Sequence, residues 1–222
     1  KWMVAYTGAT TFLTNTEQVE NVPTSWADIK AGDYKVALGD IGGGTAQAAV
    51  IASAYAFGGD LNNLDPAFEF WTELAEAGRI NTLDILQQNF ETGEIAVGVI
   101  WSYTAVPYKD QITQYKMEAT IPSDGSVMSG YASVINKYAP HPHAAALARE
   151  WIFSDAGQAN LAKAGAIPTR TDVEIPAEIE EATFAKADYA NAIPMEDAEA
   201  YAAACETVKT RWEEEILPLL VQ

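Results

Sequence analysis

The chain has 222 residues, of which 49% are hydrophobic and 20% are charged, values that are typical of a globular protein. Its net charge of −18, from 31 acidic and 13 basic residues, argues against nucleic-acid binding, which depends on Lys and Arg side chains that neutralise phosphates. No run of about 18 apolar residues occurs, so no membrane span is predicted. The single cysteine, Cys205, can form no internal disulfide and belongs to no CxxC metal motif.

The first 60 residues predict alternating strands and helices. Residues 1–8 predict a strand, and residues 21–33 predict a turn and a short helix with Ser25 at its N-cap. Residues 34–38, YKVAL, predict a short buried strand. An alanine-rich helix is then predicted over residues 46–57, and its composition favours close packing on a sheet.

Three consecutive glycines, Gly42, Gly43 and Gly44, lie where the strand 34–38 turns into this helix. The free backbone N–H groups and the positive dipole end of a helix start can bind an anion, and glycine lets a ligand approach the backbone. A tight turn with close helix–sheet packing is the alternative interpretation. The stretch GDIGGGT is neither a GxGxxG motif nor a P-loop, so it does not indicate nucleotide binding.

The rest of the chain continues the alternation of helices and strands. Strands are predicted over residues 95–101 and 130–136, and residues 117–123 predict an edge strand or a linker. Further helices are predicted over residues 64–78, 82–90, 141–154, 155–165, 176–187 and 196–217, the last of which is ended by Pro218.

This alternation predicts an α/β protein with mostly parallel sheets flanked by helices. In such sheets a ligand binds beyond the carboxyl ends of the strands. Three segments end a predicted strand and open into small or aromatic residues, and a fourth begins one; they are residues 7–12, 39–45, 101–104 and 129–133. Their convergence is the main indication of a binding site.

Four segments, in order over nearly the whole chain, resemble the family 1 solute-binding proteins of ABC importers, the receptors of the polyamine, ferric iron, thiamine and phosphonate group. They are VPTSWADI (22–29), FETGEIAVGVIWSY (90–103), the stretch from Tyr131 to Arg170, and RWEEEILP (211–218). The resemblance implies a two-lobed, periplasmic-binding-protein-like fold of type II, with the ligand in a cleft between the lobes. It also implies an extracytoplasmic location, with lipid anchoring through a missing N-terminus left open.

Laid on the pattern of this family, residues 1–7 are the first crossing strand and residues 8–120 the second lobe. Residues 121–222 are then the C-terminal half of the first lobe, whose N-terminal half has no counterpart in the sequence, so that this lobe is expected to be incomplete.

The resemblance also implies which residues contact the ligand. Gly43, Gly44 and Thr45 form the amide cradle, and Asp40 is the carboxylate beside it, which either contacts the ligand or caps the turn. At the end of strand 95–101 the expected contacts are Trp101, Ser102 and Tyr103, with core packing as the alternative for the two aromatic rings. Thr11 and Phe12 at the first crossing and Tyr131 across the cleft complete the set, and hinge or core roles are their alternatives.

The ligand class is inferred from what these segments contain. Neither residues 101–104 nor residues 129–131 include Asp or Glu, which weakens the polyamine alternative. Ferric-binding members carry adjacent tyrosines where this chain has only Tyr103 followed by Thr104, so the iron alternative is also weaker. A small anion or zwitterion, such as a phosphonate or an organic acid, fits best. No metal or cofactor is predicted.

The sequence therefore predicts a substrate-binding protein that captures a small solute and delivers it to a membrane permease. The alternative from another class is the effector-binding domain of a transcription regulator, which has a similar two-lobed fold. An enzyme is not predicted, because no Ser/His/Asp or Cys/His arrangement is present and the two histidines, His141 and His143, flank a proline at a helix start.

Overall fold

The computed structural model describes residues 2–220. Within this range the strands are β1 (Trp2–Asn15), β2 (Val36–Ala37), β3 (Ile80–Asn81), β4 (Val97–Trp101), β5 (Met117–Thr120), β6 (Ser126–Val134), β7 (Ile167–Pro168) and β8 (Ala192–Pro194). The α-helices are α1 (Trp26–Ala31), α2 (Gly44–Ala56), α3 (Asp65–Glu76), α4 (Gln87–Glu91), α5 (Ser102–Gln111), α6 (Pro142–Ile152), α7 (Asp155–Lys163), α8 (Ala177–Ala182), α9 (Ala198–Arg211) and α10 (Leu217–Leu220). A 3₁₀ turn, Lys186–Tyr189, precedes β8, and a π-helical turn, Trp212–Ile216, joins α9 to α10.

The long strand β1 is the centre of the sheet, whose order is β3-β2-β4-β1-β6-β8. Residues 2–9 of β1 pair with β6 and β7, and residues 10–15 pair with β4 and β5. The register places Thr10 opposite Trp101 and Thr7 opposite Gly130. One continuous strand therefore connects the half of the sheet that carries β4 to the half that carries β6.

The pairings confirm the predicted α/β class and refine its topology. Strands β3, β2 and β4 are mutually parallel neighbours, and β6 and β8 are parallel as well. The strand β1 adds antiparallel pairings to all of its neighbours. The predicted division into residues 1–7, 8–120 and 121–222 remains a prediction.

The main core lies where α2 packs between the sheet and the helices α3 and α9. The alanine-rich α2 is buried on all sides from Ala48 to Ala54, because its small side chains let neighbouring backbones approach closely. In α3, the side chains of Phe70, Trp71 and Leu74 are buried. Packing of apolar area is the dominant source of stability in such a core.

Two local predictions are wrong, those for residues 82–86 and for Pro218, and the helix α5 was not predicted. Residues 82–86 are not helical, because the Asn81 carboxamide oxygen accepts a bond from the Leu83 N–H and starts a turn; α4 begins only at Gln87. The chain forms α5 directly after β4, although Pro107 inside this segment disfavours a helix. Pro218 does not end the last helix, because the π-helical turn precedes it and Pro218 falls in the first turn of α10.

The helix α6 has an apolar stripe that is exposed. Its residues follow the spacing i, i+3, i+4, i+7 of one helix face, and all four, Ala144, Leu147, Ala148 and Trp151, are solvent-exposed. Leu147 is 73% and Trp151 is 53% exposed. Among the described helices none is long and apolar enough to cross a bilayer.

Candidate functional site

A cavity of about 280 Å³ lies at the carboxyl ends of the three parallel strands β3, β2 and β4. The segments that follow these strands form its wall: residues 38–46 after β2, residues 84–86 after β3 and residues 101–104 around the end of β4. Parallel strands bring the loops at their carboxyl ends to one edge, and this is the position at which open α/β sheets bind ligands.

The first wall is the glycine turn before α2. Gly39 has a φ of +75°, a conformation that favours glycine, and it starts the turn. The Asp40 carboxylate then accepts a bond of 2.9 Å from the Gly42 N–H, and the Asp40 carbonyl accepts one of 2.9 Å from the Gly43 N–H. The carboxylate of Asp40 therefore caps the turn while its residue lines the cavity.

The amides at the start of α2 are available to a ligand. Gly43 is the N-cap residue and has no side chain to accept a bond. Within residues 2–220, no acceptor bonds the backbone N–H groups of Gly44, Thr45 and Ala46. Because free N–H groups and the helix dipole both present positive charge, this helix start favours an anionic group.

The second wall is formed by Trp101 and Thr104. Trp101 ends β4 and is the N-cap residue of α5, so a second helix also begins at the cavity. The Trp101 side chain is 5% exposed, and its indole Nε1 is buried with no hydrogen-bond partner among the described residues. An indole N–H is a donor only, and an unpaired buried donor is unfavourable unless a ligand satisfies it.

The cavity contains four of the predicted site residues, Asp40, Gly43, Thr45 and Trp101. Gly44 is exposed beside them at the first position of α2, and an added Cβ there would meet open space. The amide cradle and the aromatic strand end, predicted from separate segments, thus lie at one site.

Three other predicted residues lie elsewhere. Thr11 and Phe12 are completely buried, with the Thr11 hydroxyl donating to the Ala9 carbonyl and the Phe12 ring packed in the core. The Ser102 hydroxyl is also buried; it donates to the Gly165 carbonyl at 2.9 Å and accepts from the Ala9 N–H. The prediction of ligand contacts at these positions disagrees with their burial, because each has its partners inside the protein.

The last two predicted residues, Tyr103 and Tyr131, belong to an aromatic cluster with Tyr6 and Trp101. The rings of Tyr6 and Tyr131 stack at 5.3 Å, and Tyr103 meets both edge-on, at 5.3 and 5.4 Å. Trp101 lies 6.2 Å from Tyr103 and 6.4 Å from Tyr131. Burial, and then a hydrogen bond to Tyr131, raise the pKa of Tyr103 well above its usual value, so its hydroxyl stays protonated.

Eight residues of the cavity wall were not among the predicted contacts: Leu38, Gly39, Ala46, Asp84, Ile85, Leu86, Ile100 and Thr104. Thr104 follows directly on the predicted WSY segment. Asp84, Ile85 and Leu86 were assigned to a helix over residues 82–90, and the short strand β3 before them was not predicted. A strand at residues 80–81 would have placed the following loop at the same edge as the glycine turn.

The described residues contain no group of three His, Cys, Asp or Glu side chains that could hold a metal ion.

Comparison with known proteins decides the family. The model of the bacterial extracellular solute-binding protein family matches residues 1–192. The chain belongs to this family. No curated protein sequence matches the solute-binding protein significantly.

Solved structures agree with this assignment. The periplasmic binding protein AfuA from Actinobacillus pleuropneumoniae, with fructose-6-phosphate bound, is 20% identical with a TM-score of 0.70, over 97% of this chain and 68% of its own. The Atu4243 GABA receptor is 18% identical with a TM-score of 0.72, over 96% of this chain and 67% of its own. A periplasmic thiamin binding protein is 17% identical with a TM-score of 0.71, over 97% of this chain and 66% of its own.

At these identities the structural matches show the fold, and they confirm the two-lobed α/β fold of periplasmic binding proteins. The family match makes this chain an extracellular solute-binding protein. No comparison supports the alternative of a transcription regulator's effector domain. The family and the structural neighbours are transport-related binding proteins, not enzymes.

Proposed function

We propose that the cavity between the starts of α2 and α5 holds the transported solute, and that this solute is a small molecule with an oxyanionic group, either an anion or a zwitterion. The observation that carries the proposal is that the free amides at the start of α2 and Trp101, whose buried Nε1–H has no acceptor among the described residues, line the same cavity. Donors without acceptors favour a ligand that brings an acceptor.

The other polar groups of the cavity agree with such a ligand. The hydroxyls of Thr45 and Thr104 can donate to the same oxyanion. Two carboxylates, Asp40 and Asp84, also line the cavity, and both residues are exposed. The Asp40 carboxylate already accepts a hydrogen bond from the Gly42 N–H. Asp84 is then the carboxylate that can pair with one ammonium group at the rim of the cavity, as a zwitterion would supply.

The same features disfavour the two alternative ligands from this family. A polyamine carries several ammonium groups and would leave the indole and amide donors unpaired. Ferric iron needs several hard oxygen ligands, and the described cavity wall contains no tyrosine, because the Tyr103 ring packs in the aromatic cluster instead. The cavity volume of about 280 Å³ also lies near the lower end of small-molecule pockets, roughly 300–1,000 Å³.

The cavity wall is confined to residues 38–104, inside the segment 8–120 that we assign to the second lobe. The solute would therefore bind this lobe first. Closure of the cleft would then bring the other lobe against the exposed side of the solute and present a closed form to the permease.

A ligand screen followed by matched tryptophan variants tests the proposal. Native mass spectrometry and thermal melting are recorded with inorganic phosphate, an alkyl phosphonate, γ-aminobutyrate, thiamine, spermidine and ferric citrate. A solute that binds the folded state raises the melting temperature by mass action. We expect an oxyanion-bearing compound to stabilise the protein, and Trp101→Phe to weaken its binding about 10-fold or more.

Trp151→Phe is the matched control, because Trp151 lies exposed on α6 outside the cavity. Equal loss of affinity in both variants, or full affinity in Trp101→Phe, would overturn the proposed site. Stabilisation by spermidine alone, or by ferric citrate but not by iron-free citrate, would overturn the proposed ligand class.

A further inference from the structure

The ring of Tyr103 lies between the cavity residue Trp101 and two tyrosines on the long strands. It stacks on the Trp101 indole, with 6.2 Å between centroids and 10° between planes. It also meets Tyr6 of β1 at 79° and Tyr131 of β6 at 84°, both edge-on. Every ring that packs against Tyr103 in the described residues thus belongs either to the cavity tryptophan or to a residue of the β1–β6 pair.

The first turn of α5 is held tightly against β1. An added Cβ at Gly8 would clash with the Tyr103 ring, so glycine at this position is what lets the ring lie on the strand. Ser102, the residue before Tyr103, bonds both to Ala9 of β1 and to Gly165. Gly165 has a φ of +77°, and a Cβ there would lie 2.8 Å from the Ser102 carbonyl oxygen. The Tyr103 ring consequently has little freedom to move independently of β1.

We propose that Tyr103 is a positioning residue of the solute site: its ring fixes the plane of the Trp101 indole and transmits to it the position of Tyr6 on β1. This inference rests on the proposed solute site, in which Trp101 contacts the ligand and Tyr103 acts through Trp101. Any movement of β1 and β6 relative to β4 then changes the angle of the indole in the cavity wall. The orientation of the Trp101 indole N–H is in this way coupled to the positions of β1 and β6.

Substitution of Tyr6 tests the proposal at a residue whose ring does not contact Trp101. Its ring contacts Tyr103 and Tyr131, and no ring contact joins it to Trp101 among the described residues. An effect of Tyr6 on Trp101 can therefore pass through one of these two rings or along β1, whose Thr10 pairs with Trp101. Tyr131 is the competing path, because it also lies edge-on to Trp101, at 6.4 Å and 90°.

The experiment is ¹⁹F NMR of protein labelled with 5-fluorotryptophan, without any solute. The chain has 6 tryptophans, and the Trp101 resonance is assigned by its absence in Trp101→Phe. We expect Tyr6→Leu to move the Trp101 resonance, while the resonances of the buried residues Trp26 and Trp71 stay in place as internal controls. In the Tyr103→Leu background, Tyr6→Leu should move the Trp101 resonance no further.

Tyr103→Phe provides the conservative rescue, because it keeps the ring and removes only the hydroxyl. In this background Tyr6→Leu should still move the Trp101 resonance. An unmoved Trp101 resonance in Tyr6→Leu overturns the proposal. A full effect of Tyr6→Leu in the Tyr103→Leu background also overturns it, because the coupling then passes through Tyr131 or along β1, whose Thr10 pairs with Trp101. Since the measurement needs no ligand, its result is independent of whether the cavity binds the proposed oxyanion.

Discussion

Phe12 packs edge-on against Trp26, with 4.9 Å between the ring centroids and 86° between the ring planes, and both side chains are completely buried. Trp26 in turn meets Phe70 and Trp71 of α3. Phe12 is thus one end of a chain of aromatic contacts through the core. The position next to the crossing between the two halves of the sheet does not by itself make a residue part of the binding site.

Phe12→Ala should lower the free energy of unfolding by about 3–5 kcal/mol, the usual effect of truncating a buried phenylalanine. We expect Phe12→Leu to lower it less, because leucine leaves a smaller void. Urea unfolding followed by circular dichroism measures both effects. The solute affinity of the folded Phe12→Leu protein should equal that of the wild type. A large loss of affinity at unchanged stability would show that Phe12 belongs to the binding site.

Three of the four buried tryptophans in the described part of the chain, Trp26, Trp71 and Trp101, differ in their hydrogen bonds, which gives a second prediction. The Trp26 Nε1 donates to the Gly125 carbonyl at 2.6 Å and the Trp71 Nε1 donates to the Ser53 hydroxyl at 3.1 Å, whereas the Trp101 Nε1 has no partner among the described residues. Trp101→Phe should therefore destabilise the solute-free protein by about 1 kcal/mol less than Trp26→Phe or Trp71→Phe, the net contribution of one hydrogen bond.

Urea unfolding of the three variants in the absence of solute checks this order. If Trp101→Phe is as destabilising as the other two variants, the Trp101 indole N–H donates a hydrogen bond within the solute-free protein. It would then not be free to bind an acceptor on the solute.

The sequence predicts features that depend on a few neighbouring residues, and it misses features that depend on long-range pairing. The glycine turn and the strand end at Trp101 were predictable, because glycine conformation, apolar runs and helix propensity act over a few residues. That their loops meet at one edge follows from the parallel order of strands. The wall residue Asp84 was not predictable, because β3 has only two residues, Ile80 and Asn81, and its pairing with β2 is a long-range contact.

Whether a residue lines the cavity or packs in the core also depends on long-range packing. Ser102 and Tyr103 follow Trp101 directly, yet Ser102 bonds Gly165, which is 63 residues away in the chain, and Tyr103 packs on β1. No local pattern distinguishes them from Trp101 and Thr104, which face the cavity. The direction of each side chain around the first turn of α5 decides whether it lines the cavity or packs in the core, and α5 was not predicted.

Two glycines of the same turn should respond oppositely to alanine. Gly39 has a φ of +75° and its added Cβ would lie 3.1 Å from the Ile85 side chain, so Gly39→Ala should lower the free energy of unfolding by about 1–2 kcal/mol. Gly44 is helical and its Cβ would meet open space, so Gly44→Ala should raise it by about 0.4–1 kcal/mol. Thermal and urea unfolding of both variants test the pair, and destabilisation by Gly44→Ala would contradict the open position of this residue.

Two half-buried tyrosines, Tyr34 and Tyr189, should make the protein less stable at alkaline pH. Burial is the main cause that raises the pKa of Tyr34 from 10.0 to about 12, and it raises that of Tyr189 to about 12 as well. The ionised phenol is disfavoured in the folded state only, so between about pH 10 and pH 12 the folded state binds more protons than the unfolded state. The free energy of unfolding is therefore unaffected by these groups below pH 10 and falls as the pH rises through this window.

Urea unfolding at increasing pH, with tyrosine ionisation followed by absorbance, measures this fall. Tyr34→Phe is the informative variant, because it removes one late-ionising phenol and retains the ring beside the Arg79 guanidinium, 5.9 Å from the ring centroid. Its stability should fall less steeply above pH 10 than that of the wild type. The exposed Tyr138, which is 84% accessible, is the matched control: Tyr138→Phe should leave the slope unchanged, and an equal flattening in both variants would show that burial of Tyr34 does not govern its ionisation.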